Sequence, residues 1–274
     1  MRIVAPIAKK QLGQHFLHEA GIIERIVRAV NPQSGERLVE IGPGHGAITL
    51  PLLRRHGALT VIEFDRDLIA PLSEAARGMG ELSILHKDVL AVDFSRLAAD
   101  GQGQPKLRLV GNLPYNISSP ILFHALAFAD AIVDMHFMLQ KEVVERMAAA
   151  PGSKVYGRLS VMLQAYCTVT PLFDVAPGAF RPPPKVDSSV VRLLPKPAAE
   201  IGITDPATFA DVVRDAFGQR RKTLRNALSK LCDAEDFLAV GVRPDARAEQ
   251  LAVVEFIALG NRLARKRGQS KVSL

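Results

Sequence analysis

The tetrapeptide Asn112-Leu113-Pro114-Tyr115 has the residue types needed to hold a planar base that carries an amine. The lone pair of an adenine N6 amine is delocalised into the ring, so the amine is a poor nucleophile. Two acceptors that hold its hydrogens would localise this lone pair. The Asn112 side-chain oxygen and the Leu113 carbonyl can be those acceptors, because Pro114 fixes φ and stiffens the turn. Tyr115 offers a flat face, and stacking of a base on an aromatic ring contributes roughly 1–3 kcal/mol.

The reaction that suits such a pocket is direct methyl transfer to the amine. It would proceed by in-line displacement at a sulfonium carbon, with catalysis by positioning and electrostatics and without a covalent enzyme intermediate. The tetrapeptide alone does not establish this, because Asn-x-Pro also forms ordinary Asx turns. Its position relative to other polar residues therefore decides between a base pocket and a turn.

A glycine-rich segment, Glu40-Ile41-Gly42-Pro43-Gly44-His45-Gly46, falls where a first strand should turn into a helix. Glycines suit a ligand that lies across such a turn, because a side chain would collide with it. Glu63 follows Gly42 by twenty-one residues, at the end of the next strand, where a carboxylate accepts hydrogen bonds from ribose hydroxyls. The alternative for the glycines alone is an ordinary tight turn.

A third acid, Asp88, follows the third strand and could accept a hydrogen bond from the amine of a bound adenine. Two acids on successive strands after a GxGxG loop describe an adenosine group with no diphosphate to hold. S-adenosylmethionine fits this description better than a nicotinamide dinucleotide does. An oxidoreductase is the more distant alternative, because it predicts neither the tetrapeptide nor a basic helical domain.

Short apolar runs alternate with helical stretches from residue 37 onward, which predicts βαβ units. The predicted strands cover 37–41, 59–63, 82–86, 107–111 and 131–139. The predicted helices begin near Gly46 and after Arg66, and two more cover 118–127 and 141–149. The fold class is therefore α/β, with a doubly wound, Rossmann-like parallel sheet. In that arrangement Asn112 lies at the carboxyl edge, where such sheets bind ligands.

The regular alternation of predicted strands and helices changes after residue 150. A helix over 159–166 and strands over 167–175 and 190–194 are predicted to close the sheet, with a stiff proline loop over 180–185 between the two strands. Residues 195–197 read as a linker, and Asp205-Pro206 predicts the start of a helix that ends at Gly218. We therefore predict a catalytic domain over 1–197 and a small, basic helical domain over 198–274.

The net charge of +7 is concentrated toward the ends of the chain. Residues 205–274 carry thirteen Lys and Arg against nine Asp and Glu, whereas residues 41–204 carry sixteen against fifteen. A basic helix after Gly218 is predicted to contact RNA phosphates through four residues: Arg220, Arg221, Lys222 and Arg225. The alternative is the solvated face of an amphipathic helix, which most such charge runs are.

Several classes of protein are disfavoured by composition. No run of eighteen apolar residues predicts a membrane span, and the first fifteen residues lack the apolar core of a secretory signal. Two distant cysteines do not make a disulfide framework or a zinc site, and His15 with His18 lacks further metal ligands. We expect a cytoplasmic protein with no metal and no membrane contact.

Seven segments in order along the chain resemble one family, the ribosomal RNA adenine dimethyltransferases. They are Gly13-Gln14-His15-Phe16-Leu17, Glu40-Ile41-Gly42-Pro43-Gly44, Ile62-Glu63-Phe64-Asp65, Asn112-Leu113-Pro114-Tyr115-Asn116-Ile117-Ser118-Ser119, Gln140-Lys141-Glu142, Phe180-Arg181-Pro182-Pro183-Pro184-Lys185-Val186-Asp187-Ser188 and Arg220-Arg221-Lys222-Thr223-Leu224-Arg225-Asn226.

This resemblance implies S-adenosylmethionine as cofactor. By the same resemblance six residues contact it: His15, Leu17, Gly42, Glu63, Asp88 and Asn112. Gly44 is added to them as part of the same glycine loop. Many relatives carry Asn where this chain has His15, and the exchange keeps a side-chain donor.

The resemblance also implies dimethylation of two adjacent adenosines in the 3′-terminal hairpin of 16S rRNA, within a pre-30S particle and late in its assembly. We expect the protein to act as a monomer. Two related alternatives stay open: methylation of large-subunit rRNA, and a catalytically silent assembly factor of the same fold.

Phe180 heads the proline loop and is predicted to stack on the second face of the target base. The alternative is a core phenylalanine that anchors the loop.

Overall fold

The computed structural model describes residues 13–99, 106–219 and 221–272, with the backbone alone described for 269–272. It divides into two compact units. One contains the described residues up to Val144 together with Thr170–Pro195, and the other contains Glu145–Val169 together with those from Lys196 onward.

Most strands of the chain belong to one seven-stranded sheet, in the order β4-β3-β2-β5-β6-β9-β7. The strand bounds are β1 (Phe16–Leu17), β2 (Arg37–Ile41), β3 (Ala58–Glu63), β4 (Glu81–His86), β5 (Leu107–Asn112), β6 (Ile132–Gln140), β7 (Cys167–Val175), β8 (Phe180–Arg181) and β9 (Ser188–Pro195). The pairs from β4 through β6 are parallel, and β9 runs antiparallel to β6. The predicted doubly wound α/β class is confirmed.

Helices connect the strands and continue through the second unit. Their bounds are α1 (Ala20–Val30), α2 (Thr49–His56), α3 (Arg66–Ala75), α4 (Phe94–Ala99), α5 (Ser118–Leu126), α6 (Lys141–Met147), α7 (Arg158–Tyr166), α8 (Ala198–Ile201), α9 (Pro206–Gly218), α10 (Leu224–Ala227), α11 (Ala234–Ala239) and α12 (Val253–Val272). Each of the predicted strands and helices of the sheet region is present, with ends that differ by a few residues.

The order of the strands reverses between β2 and β5, the two parallel strands at the centre of the sheet. Ligands of doubly wound folds bind at the carboxyl ends of the strands beside such a switch point. The two strands approach closely there, because a Cβ added to Gly111 would lie 2.6 Å from the Ile41 carbonyl oxygen. Glycine at position 111 is therefore required by this approach, and it precedes Asn112 directly.

Apolar side chains cover both faces of the sheet, as expected for a parallel sheet. On one face Val61 and Val110 pack in a cluster with residues of α1, α2 and α3, such as Leu52 of α2. The residues that alternate with them along the strands, such as Leu109 and Phe137, are also fully buried. This two-sided packing holds the carboxyl ends of the strands in place.

An ion-pair cluster lies near the amino ends of β5 and β6. The buried Arg108 donates to Asp134 at 2.8 and 3.0 Å and to Glu36 at 2.6 Å. It also donates to the carbonyl of Val30, the last residue of α1. A cation at this position satisfies the free carbonyls at the end of a helix. Arg108 therefore attaches the C-terminal end of α1 to the sheet at β5 and β6.

Three local predictions are wrong. The helix expected near Gly46 begins at Thr49, because Gly46 has a left-handed φ of +84°. The loop expected over 180–185 begins with strand β8, whose residues pair antiparallel with Phe16 and Leu17. The three prolines follow this strand and do not take part in the pairing.

The basic helix expected after Gly218 is the third wrong prediction. Arg221 and Lys222 lie in a turn, and only the four residues of α10 are helical. Arg220 lies outside the described residues.

The second unit is helical, and α9 packs with α7 and α12. Asp205 caps α9 as predicted, accepting hydrogen bonds from the backbone of Ala207 and Thr208. The division into units falls after Pro195, and Glu145–Val169, which the prediction placed in the catalytic domain, groups with the C-terminal helices. The reason is that α7 is buried on several sides and completes the core of the helical unit, as at Val161 and Leu163.

Candidate active site

A cavity of about 310 Å³ opens at the carboxyl edge of the sheet, beside the switch point. Its volume is at the lower end of the roughly 300–1,000 Å³ typical of small-molecule sites. The lining comes from five segments of the first unit: residues 13–17, 40–48, 62–64, 87–89 and 112–117, with Leu68 and Ile121. The cofactor positions predicted from the sequence, together with Asn112, Leu113, Pro114 and Tyr115, all lie in this lining.

The glycine loop after β2 leaves its backbone open to the cavity. Gly42 and Gly44 have left-handed φ values of +69° and +57°, which a residue with a Cβ adopts only with strain. Added to Gly44, a Cβ would lie 3.0 Å from the ring of Phe16, so the loop has no room for a side chain there. The loop is thus a cradle that a ligand can approach at backbone distance.

Glu63 braces the loop from the end of β3. One of its carboxylate oxygens accepts a hydrogen bond from the Gly44 N–H at 3.3 Å, and the other accepts from the Asp65 N–H at 2.7 Å. Burial raises the pKa of Glu63, while these backbone donors oppose the shift. The carboxylate keeps further lone pairs, which can accept hydrogen bonds from a pair of hydroxyls.

Glu40 is a second acid of the lining and is 1% exposed. Burial raises its pKa to about 8, against the hydrogen bond that it accepts from the Thr49 hydroxyl at 2.6 Å. The nearby Glu63 adds to this rise. Glu40 is therefore mostly protonated at neutral pH.

Asp88 has two uses for its carboxylate. One oxygen accepts from the Leu90 N–H at 2.9 Å and so caps the short 3-10 helix Val89–Ala91. This bond fixes the orientation of an exposed side chain that also lines the cavity. The geometry leaves acceptor capacity for an amine in the cavity.

The side chain of Asn112 lines the cavity and is held by a hydrogen bond at its nitrogen. Its Nδ2 donates to the main-chain carbonyl of His15 at 2.9 Å. The Oδ1 atom is therefore the part of the amide left to accept a hydrogen bond. In addition, the Leu113 N–H donates to the Met138 carbonyl at 3.1 Å, which keeps the turn attached to β6.

Tyr115 is anchored at its hydroxyl and covered on one face of its ring. The hydroxyl bonds to the hydroxyl of buried Ser188 at 2.6 Å. The imidazole of His15 stacks on the ring, with centroids 5.4 Å apart and planes inclined by 28°. Burial raises the pKa of the Tyr115 phenol, so the ring stays neutral at any ordinary pH.

Residues 13–17, which we call the strap, cross the cavity and touch both of its ends. Gln14 donates to Asp65 at 3.0 Å beside Glu63. His15 Nδ1 lies 2.8 Å from the Pro182 carbonyl oxygen. Phe16 packs against the ring of His45, with centroids 4.0 Å apart. Leu17 is buried and anchors the strap in the core.

Phe180 does not lie in the cavity lining. It is 2% exposed and packs in the core cluster with Leu17 and Val190. The predicted stacking of Phe180 on the target base does not agree with this position, and the alternative of a core phenylalanine does. The physical reason is the pairing of β8 with β1, which turns the ring toward the sheet.

The basic residues predicted to contact RNA belong to the second unit. Arg221, Lys222 and Arg225 are exposed, and no ion pair joins them to an acid within the part of the chain described here. Three cations of α12 differ, because Arg262, Lys266 and Arg267 are paired with acids of their own unit.

Some residues of the lining, and Ser188 behind it, carried no signal strong enough to be singled out from the sequence. Phe64, 61% exposed, is an apolar side chain at the cavity, and its place directly after Glu63 was the available clue. Ser188 is the last residue of the proline motif, but its bond to Tyr115 joins residues 73 apart. His45 was visible only as the variable residue of the glycine loop.

The open glycine cradle, the acid at the end of β3 and the acid after β4 fit an adenosine group that carries no diphosphate. Together with the sheet order, they define the chain as a class I S-adenosylmethionine-dependent methyltransferase.

The chain belongs to the ribosomal RNA adenine dimethylase family, whose model matches residues 7–265. It is 72% identical over 254 residues to the ribosomal RNA small subunit methyltransferase A of Xanthomonas campestris, covering 93% of this chain and 95% of the relative. The protein of the same name from Xanthomonas oryzae is 71% identical over the same lengths. The family resemblance predicted from the seven segments is confirmed.

Two solved structures share the fold. A dimethyladenosine transferase from Plasmodium falciparum superposes with a TM-score of 0.79 at 25% identity, covering 92% of this chain and 98% of that one. The 23S rRNA methyltransferase ErmE superposes with a TM-score of 0.68 at 23% identity, covering 91% and 99%. The second likeness concerns the fold alone.

Within the described residues, no helix has the length and apolar character needed to cross a membrane. The same residues contain no group of three or more side chains arranged to hold a metal ion.

Proposed function

We propose that the protein dimethylates the N6 amines of two adjacent adenosines in the 3′-terminal hairpin of 16S rRNA, late in maturation of the small ribosomal subunit. It acts as a monomer on a pre-30S particle in the cytoplasm. The small-subunit relatives at 72% identity support this choice of rRNA over the large-subunit alternative. The observation that carries the proposed chemistry is the hydrogen bond from Asn112 Nδ2 to the His15 carbonyl, which leaves Oδ1 as an acceptor.

The cofactor end of the cavity is assigned by charge and hydrogen-bonding capacity. S-adenosylmethionine, when bound, supplies a methyl group on a positively charged sulfur. Glu63 would accept hydrogen bonds from the ribose hydroxyls, and Asp88 would accept one from the adenine amine. The open backbone at Gly42 and Gly44 would accommodate the rest of the cofactor. Phe64 offers an apolar face for the adenine ring. His15, Leu17 and Asn112 line the same space.

At the other end the chain prepares the target amine. Asn112 Oδ1 and the Leu113 carbonyl would each accept a hydrogen bond from one N6 hydrogen. These bonds localise the lone pair of the amine for attack on the methyl carbon. Pro114 restricts the turn that presents both acceptors. Tyr115, fixed by Ser188, supports the ring of the base. These contacts exist before the substrate arrives, so little reorganisation is needed in the transition state.

The proposal is tested by offering three substrates to the protein with methyl-labelled cofactor: immature 30S particles, naked 16S rRNA and 50S particles. We expect label as N6,N6-dimethyladenosine in the 30S particles and none in the 50S particles. Label in 50S would establish the large-subunit alternative. A protein that binds 30S particles but transfers no label would be a silent assembly factor.

Asn112→Ala tests the proposed role of Asn112 in the chemistry. We expect it to lower kcat by at least 100-fold, comparable to the loss of one preorganised hydrogen-bonding group at an active site. Binding of 30S particles by this variant should persist. Unchanged turnover in Asn112→Ala would remove the assignment of its Oδ1 as an acceptor for the target amine.

A further inference from the structure

His15 contacts two segments near the proposed base site, the turn at Asn112–Tyr115 and the proline loop. Its imidazole stacks on Tyr115, its Nδ1 lies 2.8 Å from the Pro182 carbonyl, and its own carbonyl accepts from Asn112 Nδ2 at 2.9 Å. Along the chain, Asn112 lies 97 residues from His15, and Pro182 lies 167 residues from it. Two segments that are distant in sequence therefore meet at this one residue.

The contact with Pro182 also places a hydrogen on Nδ1 of the ring. A carbonyl oxygen cannot donate, so Nδ1 must carry the hydrogen in the bond to Pro182. The imidazole is thereby held in one orientation against Tyr115. Since Ser188 holds the hydroxyl of Tyr115, the phenol ring is fixed both at its end and across one face. A base that stacks on Tyr115 then has the opposite face available.

We propose that His15 is a positioning residue of the target-base site, which aligns Asn112 and Tyr115 for the amine. This inference rests on the proposed function. It gives His15 a role at the base end of the cavity in addition to its predicted contact with the cofactor. The bond from Asn112 uses the main chain of His15, so its geometry depends on where the side chain anchors the strap. The imidazole is one of the anchors of the strap, together with Leu17 and Gln14.

Three substitutions separate the two side-chain contacts. His15→Phe keeps a ring against Tyr115 but cannot donate to Pro182. His15→Gln keeps a donor but has no ring, and His15→Ala has neither. A displacement of reacting groups by about 1 Å can cost up to 100-fold in rate. We therefore expect His15→Ala to lower kcat on 30S particles roughly 10- to 100-fold.

The split between kinetic parameters distinguishes positioning from cofactor binding. We expect kcat to fall by a larger factor in His15→Ala than the dissociation constant for S-adenosylmethionine, measured by calorimetry, rises. His15→Phe should recover most of the lost kcat. A rise in this dissociation constant that matches the loss of kcat/KM would show a cofactor contact and overturn the proposal. Higher turnover in His15→Ala would show that the ring obstructs the base, with the same consequence.

A second measurement does not depend on methyl transfer. The chain has three tyrosines and no tryptophan, so ring-labelled tyrosine gives few NMR signals, and Tyr115→Phe identifies the one from Tyr115. We expect His15→Ala to shift that signal, through loss of the ring current of the imidazole, and His15→Phe to keep it displaced. An unmoved Tyr115 signal in His15→Ala would contradict the stack, even with normal methyl transfer. If wild-type protein methylated no rRNA while the signal moved as expected, the proposed function would fail and the contact would stand.

Discussion

At Asn112 the two polar atoms of one amide have separate tasks. Nδ2 donates to the His15 carbonyl, which leaves Oδ1 as the acceptor of the amide. The sequence predicted the task of the oxygen from the chemistry of an N6 amine. It could not predict the partner of the nitrogen, because that partner is a main-chain atom, and every residue carries one.

Glu40 is a buried acid whose charge is disfavoured by its position under the glycine loop. Its pKa rises from 4.5 to about 8, and burial is the largest cause. The folded protein therefore holds a proton between these pH values that the unfolded chain releases. The contribution of Glu40 to stability therefore falls as pH rises through this window and becomes level above it.

We expect Glu40→Gln to remove this pH dependence, because glutamine keeps the acceptor for Thr49 and never ionises. The variant should be close to the wild type in stability at pH 5 and more stable at pH 9. Urea unfolding at pH 5, 7 and 9 would measure the difference in the free energy of unfolding. The exposed Glu81, changed to Gln, is the matched control and should leave the wild-type profile in place. A wild-type profile in Glu40→Gln as well would show that Glu40 ionises normally in the fold.

At the scale of elements, the sequence predicted most of the sheet. The strands of the parallel region are short apolar runs, and burial on both faces requires that composition whatever the neighbours are. Arg108 is the exception within β5. Its burial depends on Asp134 and Glu36, which are distant in sequence, so no local pattern indicated that a charge would be central in a strand.

The two-residue strands β1 and β8 were not predictable by the same means. They pair Phe16 and Leu17 with Arg181 and Phe180, and two residues are too few to show the alternation that identifies a strand. Proline chemistry correctly predicted that residues 182–184 leave the ladder. The same reasoning gave a wrong position for Phe180. Its ring contributes to the core because β8 begins before the prolines.

This position predicts a loss of stability for Phe180→Ala. Truncation of a buried phenylalanine removes apolar contacts and leaves a cavity, which costs about 3–5 kcal/mol. We expect a fall of that size in the free energy of urea unfolding, and a smaller one for Phe180→Leu. Phe64→Ala is the control, since a 61% exposed ring should change stability by less than about 0.5 kcal/mol. A stable Phe180→Ala protein that lost only turnover would instead support the stacking role.

At the scale of the molecule, the basic residues fall into two groups that composition could not separate. Three cations of α12, Arg262, Lys266 and Arg267, are paired with acids of the second unit, for example Lys266 with Asp233 at 2.5 Å and Asp236 at 2.9 Å. Arg221, Lys222 and Arg225 are exposed without such pairs among the described residues. The charges of Arg221, Lys222 and Arg225 are therefore more available for phosphates than those of the three paired cations.

We expect the triple change of Arg221, Lys222 and Arg225 to Gln to flatten the salt dependence of binding to 16S rRNA. Each phosphate contact contributes about 0.7–0.9 to the slope of log K against log salt, so three contacts amount to roughly 2. The same change of Arg262, Lys266 and Arg267 is the control. It should leave the slope nearly intact while lowering the midpoint of thermal unfolding. Equal slopes in both triple variants and the wild type would mean that the exposed cluster serves solubility.

The bond between His15 and Pro182 joins residues 167 positions apart. During synthesis the chain emerges from its amino end, so the strap exists long before the proline loop, Ser188 and β9 that complete the pocket. Until those residues appear, β6 has an unpaired edge and Tyr115 has no anchor for its hydroxyl. A newly made chain can therefore acquire the cradle at Gly42 early, but it becomes competent for a target base only once the last strand of its sheet is in place.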